Sequence, residues 1–533
     1  MRWLKDPVDA HHPRVNRSYR LARRVFRSLV SVWFREINIV DDENIPPKGG
    51  VMFISWHPSG LVDPMLLNAS LPGRVSMIAK HTLFKMPIMG RLLRAGGGVP
   101  VERAQDSADK EAASARNAEM LSDVASLVAQ GGRLMIFPEG TTHTGSNVKR
   151  VRSGAARILL AARREAQRDG LAEPQMIPIG LHYSNSQRFR ERAAVVIERA
   201  MVFPPIPEES DDEVRQDRED RAWVKGATED ISIELQRASL SKTTWRERTL
   251  IWKGRSLAYA ERARQTTGKL KKPSYAHAVL GARRVRAGWE YMAQNNPEIT
   301  TSIVEEAEAH FEALDHRDIT PFDVDSRPER LSYSGFVKSF LLWAWAGVWM
   351  FGLITWGAMI GNLVPYRANA LIVGHMKAKG ADGSILSTIK LLSAMVCFPL
   401  WWLAASLGAT WLLLSDASPV NELLQMHWLL ENLTRLPFYL VFCVFFLWWP
   451  TSAKAHLRLY AKVVVNYRAL KRWRAWRDEE VNWDGLVLRQ RNLASRLVSV
   501  GEGLILPGDE DWIDPPAGED DVMSVRQRPS TDA

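Results

Sequence analysis

Between residues 45 and 205 the chain alternates short apolar runs with helical patterns, and this alternation narrows the fold more than any other feature. Val51–Ile54, Val75–Ala79, Leu134–Phe137, Met176–Ile179 and Ala194–Ile197 have the length and continuous apolar character of strands buried on both faces. Helical patterns lie between them at Leu83–Leu93, Asp109–Ala129 and Gly154–Ala166. The alternation predicts an α/β domain, a sheet flanked by helices. Functional loops of such folds gather at one edge of the sheet.

The first run leads into Ser55-Trp56-His57-Pro58-Ser59-Gly60-Leu61-Val62-Asp63-Pro64. Histidine is the side chain best placed to take a proton near neutral pH, and a carboxylate on its other ring nitrogen fixes its tautomer. Asp63 also reads as a helix N-cap followed by proline at the first helical position, and the two roles can coexist. Three further segments follow: Gly98-Val99-Pro100-Val101-Glu102-Arg103, Phe137-Pro138-Glu139-Gly140-Thr141-Thr142 and Ile177-Pro178-Ile179-Gly180. In that order the four segments resemble the motif blocks of the glycerolipid acyltransferases, over roughly residues 25 to 205. Most of that family has four residues between the motif His and Asp; five separate His57 from Asp63 here. In this the chain resembles a subgroup that includes fungal glycerol-3-phosphate acyltransferases and many bacterial homologues. Pro58-Ser59-Gly60 is turn-forming and can absorb the extra residue.

The resemblance implies a mixed sheet flanked by helices and an O-acyltransferase with His57 and Asp63 as the catalytic dyad. His57 is then the base and Asp63 its orienter, with the substrate hydroxyl in place of an enzyme serine. No Gly-x-Ser-x-Gly elbow is present, which favours direct transfer. The planar fork of Arg103 suits a phosphate, and the resemblance assigns it the acceptor phosphate. In the third block, Gly140 admits close backbone approach and Thr141 offers a hydroxyl to phosphate oxygens, while Glu139 is expected to hold an arginine or a glycerol hydroxyl. Lys149, Arg150 and Arg152 precede a helix beginning near Gly154, an arrangement that favours an anion. Arg152 and Lys80 are further substrate-binding candidates, and Pro178 is expected to shape the acyl-chain region. His81, His143 and His182 have no companion ligands at metal-binding spacing, so neither a metal nor a cofactor is expected. The acyl donor would be acyl-CoA or acyl-carrier protein.

The rest of the chain suggests a membrane setting. Seventy Lys+Arg against sixty Asp+Glu give a net charge of +10, which fits an anionic partner. Twenty-one tryptophans and three long apolar segments point to lipid rather than nucleic acid. Those segments are Phe340–Val364, Leu391–Leu414 and Leu436–Ala453, none with an interior charge. Both cysteines, Cys397 and Cys443, lie within them. Lys454–Arg477 carries eight basic residues and no acid and should lie inside, and the acidic stretch 415–435 outside. Met1–Arg24 has no signal-peptide core, so the first domain is expected on the cytoplasmic face. Two crossings then require the first apolar segment to be re-entrant or interfacial; the alternative is three crossings with one basic flank on the other side.

The expected organisation is a basic amphipathic N-terminal helix region (1–44), the catalytic domain (45–205), a charged and solvated helical extension (206–335), a transmembrane region (336–453), a basic juxtamembrane helix (454–500) and an acidic disordered tail (501–533). In the first, Leu21, Val25, Leu29 and Trp33 form an apolar stripe suited to a membrane surface or to the domain. The expected reaction is acylation of 1-acyl-glycerol 3-phosphate to phosphatidic acid in phospholipid synthesis, or alternatively of glycerol 3-phosphate at sn-1. A non-catalytic membrane scaffold would instead predict a broken dyad.

Overall fold

The computed structural model describes residues 16–102, 110–185, 188–267, 273–324, 353–477, 482–516 and 518–529, with a few positions between 337 and 345. The chain divides into two compact units, one of residues 1–313 with 488–533 and one of residues 314–487.

A seven-stranded sheet organises the first unit. Its strands are β1 (Phe34–Val40), β2 (Val51–Ser55), β3 (Val75–Lys80), β4 (Gly98–Val101), β5 (Arg133–Ile136), β6 (Gln175–Tyr183) and β7 (Glu191–Ile197), in the order β1-β7-β6-β2-β5-β3-β4. Pairing is parallel except between β6 and β7, so the sheet is mixed. All five apolar runs are strands. The two strands absent from that reading, β1 and β4, are the two edges. Every residue of β2 is buried, as expected of a central strand covered on both faces. Helices α1 (Arg17–Trp33), α2 (Val62–Ser70), α3 (His81–Phe84), α4 (Pro87–Ala95), α5 (Lys110–Ala129) and α6 (Gly154–Arg168) belong to this core.

Three sequence expectations need correction. The apolar face of α1 is Tyr19, Ala22, Phe26, Val30 and Trp33, rotated from the expected stripe, with Leu21 exposed. It packs on α2 and α4. Burying a large apolar side chain is worth about 1.5–3 kcal/mol, so several together commit this face to the protein. Nor is the described part of 206–335 a solvated appendage: α7 (Glu213–Ser239) lies on β6, and α9 (Tyr275–Asn295) on β1 and β7. Ala194 and Val196 of β7 share a core with Ile251 of α8 (Trp245–Thr267) and Tyr275, Ala278, Val279 and Ala282 of α9. The β1-β7-β6 side of the sheet is thus covered by this extension. Finally, the described part of the acidic tail is folded. Leu504–Ile505 pairs antiparallel with Arg526–Gln527, and Leu504, Leu506 and Val525 pack on Ala287. Arg283 holds the buried Asp521 through two hydrogen bonds of 2.8 and 2.7 Å, and Arg284 bonds Asp509. Arginines of α9 thus offset the tail charge that composition alone reads as a barrier to folding.

In the second unit, Gly383–Leu414 and Phe438–Arg458 are long and apolar enough to cross a membrane. The second is the start of a continuous helix, Phe438–Arg477, so no break separates the apolar segment from the basic one at residue 454. Most of Phe340–Val364 before Leu353 lies outside the described residues, as do Gly347 and Gly352. From Leu353 the helix continues through Pro365 to Ala378. It packs closely on its neighbours at glycine: Trp402 Nε1 donates to the Gly361 carbonyl at 2.9 Å, and Asn362 Nδ2 to the Trp449 carbonyl at 3.1 Å. Trp449 Nε1 donates to Ser406 Oγ at 2.9 Å. Polar groups on apolar helices thus find partners within the bundle.

Candidate active site

β2 delivers His57 to the carboxyl edge of the sheet, where it meets the first turn of α2. The intervening turn places Gly60 at φ +55°, a left-handed conformation that glycine adopts without strain, and this accommodates the extra residue. Asp63 is fully buried, and its Oδ2 lies 2.8 Å from His57 Nδ1. An ionised carboxylate only accepts, so Nδ1 carries the hydrogen and Nε2 is the basic nitrogen. Oδ2 also accepts from the Ser59 N–H at 2.7 Å, and Oδ1 from the Tyr183 hydroxyl at 2.6 Å. Three donors therefore fix one buried carboxylate. Asp63 does not cap α2: it lies inside the first turn, after Leu61 at the N-cap, and its oxygens are bonded elsewhere.

Tyr183 ends β6, three residues beyond the fourth motif block. Burial first, and then the Asp63 charge, push its phenol well above the usual tyrosine range. It therefore stays protonated and donates at any physiological pH. The Phe137 ring stacks on the His57 imidazole, with centroids 4.0 Å apart and planes at 12°, and restrains its orientation.

Glu139 has a different place from the one expected. It is 1% exposed, and among the described residues its carboxylate bonds no arginine. Its Oε1 accepts the His57 N–H at 2.9 Å; its Oε2 accepts from the Lys149 N–H at 2.8 Å and bonds His143 Nε2. The His143 N–H in turn donates to the His57 carbonyl at 3.2 Å. Glu139 and His143 therefore tie the first and third blocks together from beneath. His143, read from sequence as an ordinary loop histidine, is part of that support.

Gly140 has φ +64°, and a Cβ there would approach Arg152 Nε to 3.1 Å. The arginine lies over the glycine backbone, with its own N–H bonded to the Pro138 carbonyl at 2.9 Å. Thr141, Lys149, Arg150 and Arg152 line one side of an open groove beside the start of α6. Ser153 does not cap that helix with its side chain. Lys80 closes β3 and is paired in register with Val101, two residues before Arg103. Arg103 itself lies outside the described residues; the neighbouring Glu102 pairs with Arg116 at 2.7 Å. Pro178 is buried in β6 opposite Ile54. Its carbonyl accepts from Glu198 at 3.0 Å, just past β7, so the missing proline N–H falls where that ladder has ended. Among the described residues no group of three or more His, Cys, Asp or Glu is placed to hold a metal.

His57, Asp63, Glu139, Gly140, Thr141 and Arg152 thus meet at one edge of the sheet. Tyr183, Phe137 and His143 are the supporting residues that sequence reasoning missed; a tyrosine closing the strand that carries the fourth block was the available signal.

The family match includes the strands and loops that carry the site. Residues 36–182 match the family model described as Acyltransferase. The 1-acyl-sn-glycerol-3-phosphate acyltransferase of Borreliella burgdorferi is 27% identical over 133 residues, 25% of this chain and 50% of that protein. An uncharacterized acyltransferase of Schizosaccharomyces pombe is 32% identical over 85 residues, 15% of this chain and 13% of that protein. The match therefore spans half the length of the first relative and a small part of the second. The crystal structure of the 1-acyl-sn-glycerophosphate (LPA) acyltransferase, PlsC, from Thermotoga maritima aligns with 40% of this chain and 79% of that chain, at 17% identity and a TM-score of 0.27. The chain thus carries an acyltransferase domain over residues 36–182, and its four motif blocks stand in the order seen in the glycerolipid acyltransferases that they resemble.

Proposed function

We propose that the protein transfers a fatty acyl group from a thioester donor, acyl-CoA or acyl-carrier protein, to the free hydroxyl of 1-acyl-glycerol 3-phosphate, forming phosphatidic acid. The observation that carries this reading is the His57–Asp63 pair, held by Ser59 and Tyr183 around a fully buried carboxylate. His57 Nε2 takes the proton of the acceptor hydroxyl as its oxygen attacks the thioester carbonyl. The imidazolium that forms is stabilised by Asp63. Collapse of the tetrahedral intermediate expels the thiolate, which receives the proton from Nε2. Lys80, Arg103, Thr141 and Arg152 supply cations and a hydroxyl for the acceptor phosphate. Glycerol 3-phosphate carries the same phosphate and a free hydroxyl, and the five-residue His–Asp spacing favours it as the second acceptor.

The two apolar helices support membrane attachment, and the charge asymmetry supports a cytoplasmic side for both the catalytic domain and the basic segment Lys454–Arg477. The test is acyl transfer by membranes containing the protein, with labelled acyl donor and each acceptor in turn. His57→Ala is expected to lose about 10²–10⁴-fold in rate, the usual contribution of a general base. Turnover of neither acceptor by the wild type, or full activity of His57→Ala, removes the proposal.

A further inference from the structure

A second cationic feature lies at the same sheet edge, on the other flank of His57. Arg192 is the second residue of β7, where the β6–β7 hairpin emerges: its N–H bonds Ser184 Oγ at 2.8 Å, one residue beyond Tyr183. Its guanidinium lies over the Tyr275 ring at 4.9 Å. Tyr275 stacks on Trp252, with centroids 5.9 Å apart and planes at 15°. The guanidinium of Arg255 lies over Trp252 at 5.4 Å. Two arginines therefore bracket a pair of stacked rings contributed by α8 and α9.

Among the described residues neither arginine is in an ion pair with a carboxylate. The Nε atoms of both are buried without a hydrogen-bond partner. The carboxylates nearest Arg192 in register and sequence are engaged elsewhere: Glu36 accepts the Tyr275 N–H at 2.9 Å, and Glu191 the Ser184 hydroxyl at 2.8 Å. By contrast, Arg283, Arg284 and Arg286 of α9 are all in ion pairs. The stem of Arg255 is also closely fitted, because a Cβ at Gly281 would come within 2.9 Å of its Cγ. Burial, with Arg192 close by, lowers the Arg255 guanidinium to about 10, so it remains charged near neutral pH. Like charges held together on aromatic platforms, with the neighbouring Glu36 and Glu191 bonded to other groups, form a receptor for an anion, and a planar guanidinium suits phosphate oxygens.

We propose that Arg192 and Arg255, on the Tyr275 and Trp252 rings, bind a phosphate group of one of the two substrates. This rests on the acyl-transfer reading. Both substrates of that reaction are phosphorylated, because a coenzyme A or carrier-protein thioester brings its own phosphates. The sheet order separates the two cationic regions: β7 lies two strands from β2 on one side, and β3 and β4 lie two and three strands away on the other. At about 4.8 Å per strand, each lies about 10–15 Å across the sheet from the dyad strand. Lys80 and Arg103 serve the acceptor, which leaves the Arg192–Arg255 flank to the donor phosphate.

The test uses the full chain in membranes or detergent, with Arg192→Gln, Arg255→Gln and the double variant. Each arginine removed should raise KM for acyl-CoA about tenfold, the usual loss for one charged hydrogen bond. The acceptor KM and kcat should stay near wild type. An acyl thioester of 3′-dephospho-CoA shows whether the 3′-phosphate is the group held: its KM then changes less than that of acyl-CoA. A rise in acceptor KM alone would support the site with the acceptor phosphate as its ligand; no change in either KM overturns it. Should a glutamine variant fail to fold, the lysine variants keep the charge and lose the fork. A selective KM increase of threefold or more supports the site there, and unchanged values overturn it. Thermal stabilisation by CoA and by inorganic phosphate reads the site without catalysis. Stabilisation of an inactive wild type, lost in the double variant, would keep the site and remove the acyl-transfer reading. Equal stabilisation of wild type and double variant by both probes overturns the site.

Discussion

Replacing Tyr183 by phenylalanine isolates a single atom of the dyad's support. The ring stacks on Phe34, with centroids 5.5 Å apart and planes at 9°, and phenylalanine keeps that contact and the side-chain volume. Only the hydroxyl that donates to Asp63 Oδ1 at 2.6 Å is lost. Oδ2 keeps both of its donors, His57 and Ser59, but Oδ1 is left bare on a residue that is 0% exposed. A hydrogen bond to a charged group contributes about 1.5–3 kcal/mol, and an unsatisfied buried acceptor costs a comparable amount. If the carboxylate loses that much of its restraint and the imidazole is held less well, kcat should fall about 10–100-fold at 1.36 kcal/mol per decade. The acceptor and donor KM values should stay within about twofold, because the hydroxyl touches neither phosphate region. The assay is steady-state acyl transfer with thermal unfolding measured on the same preparation. A variant that melts earlier but retains kcat would refute the reasoning, for Tyr183 would then support the fold and not the orientation of the dyad.

Other perturbations reach the remaining parts of the reading. Arg103→Lys should raise the acceptor KM more than the donor KM, because lysine keeps the charge and loses the bidentate fork; the opposite split would remove the phosphate assignment. Glu234 is buried, and its carboxyl is raised from 4.5 to about 7, chiefly by burial. A raised carboxyl stabilises the fold fully below its unfolded value and loses that contribution as pH climbs through the folded one. Glu234→Gln should therefore flatten the fall in stability between about pH 4.5 and 7, a span worth up to about 3 kcal/mol, as read by melting temperature against pH. With Cys397 and Cys443 replaced by serine, single cysteines at Lys379, Glu422 and Arg477 should respond differently to an impermeant thiol reagent applied from outside. Only the Glu422 site should label; labelling at Lys379 would reverse the proposed orientation.

The central strands were legible because a strand covered on both faces must be apolar along its whole length, and the five runs met that condition without any knowledge of their order. The edge strands were not. β1 mixes Arg35, Glu36 and Asn38 among its apolar residues, and β4 contains Gly98 and Pro100, because an edge position needs only part of its surface buried and only one side paired. Motif spacing brought His57, Asp63, Glu139 and Gly140 to notice, since chemistry that needs a base, an orienter and close backbone approach restricts residue type locally. By itself it did not assign a role to Tyr183 or Arg192. Their roles depend on β6 pairing with β2, so that Ser55 faces Ile179, and on β7 turning back beside β6. Local composition likewise marked the tail as disordered, yet Asp521 is buried against Arg283, 238 residues earlier in the chain. What the sequence determined by itself was whatever burial and chemistry impose within a few neighbouring residues. The tertiary structure decided which distant charges and hydroxyls meet, because their pairing depends on strand register and helix packing that no single segment encodes.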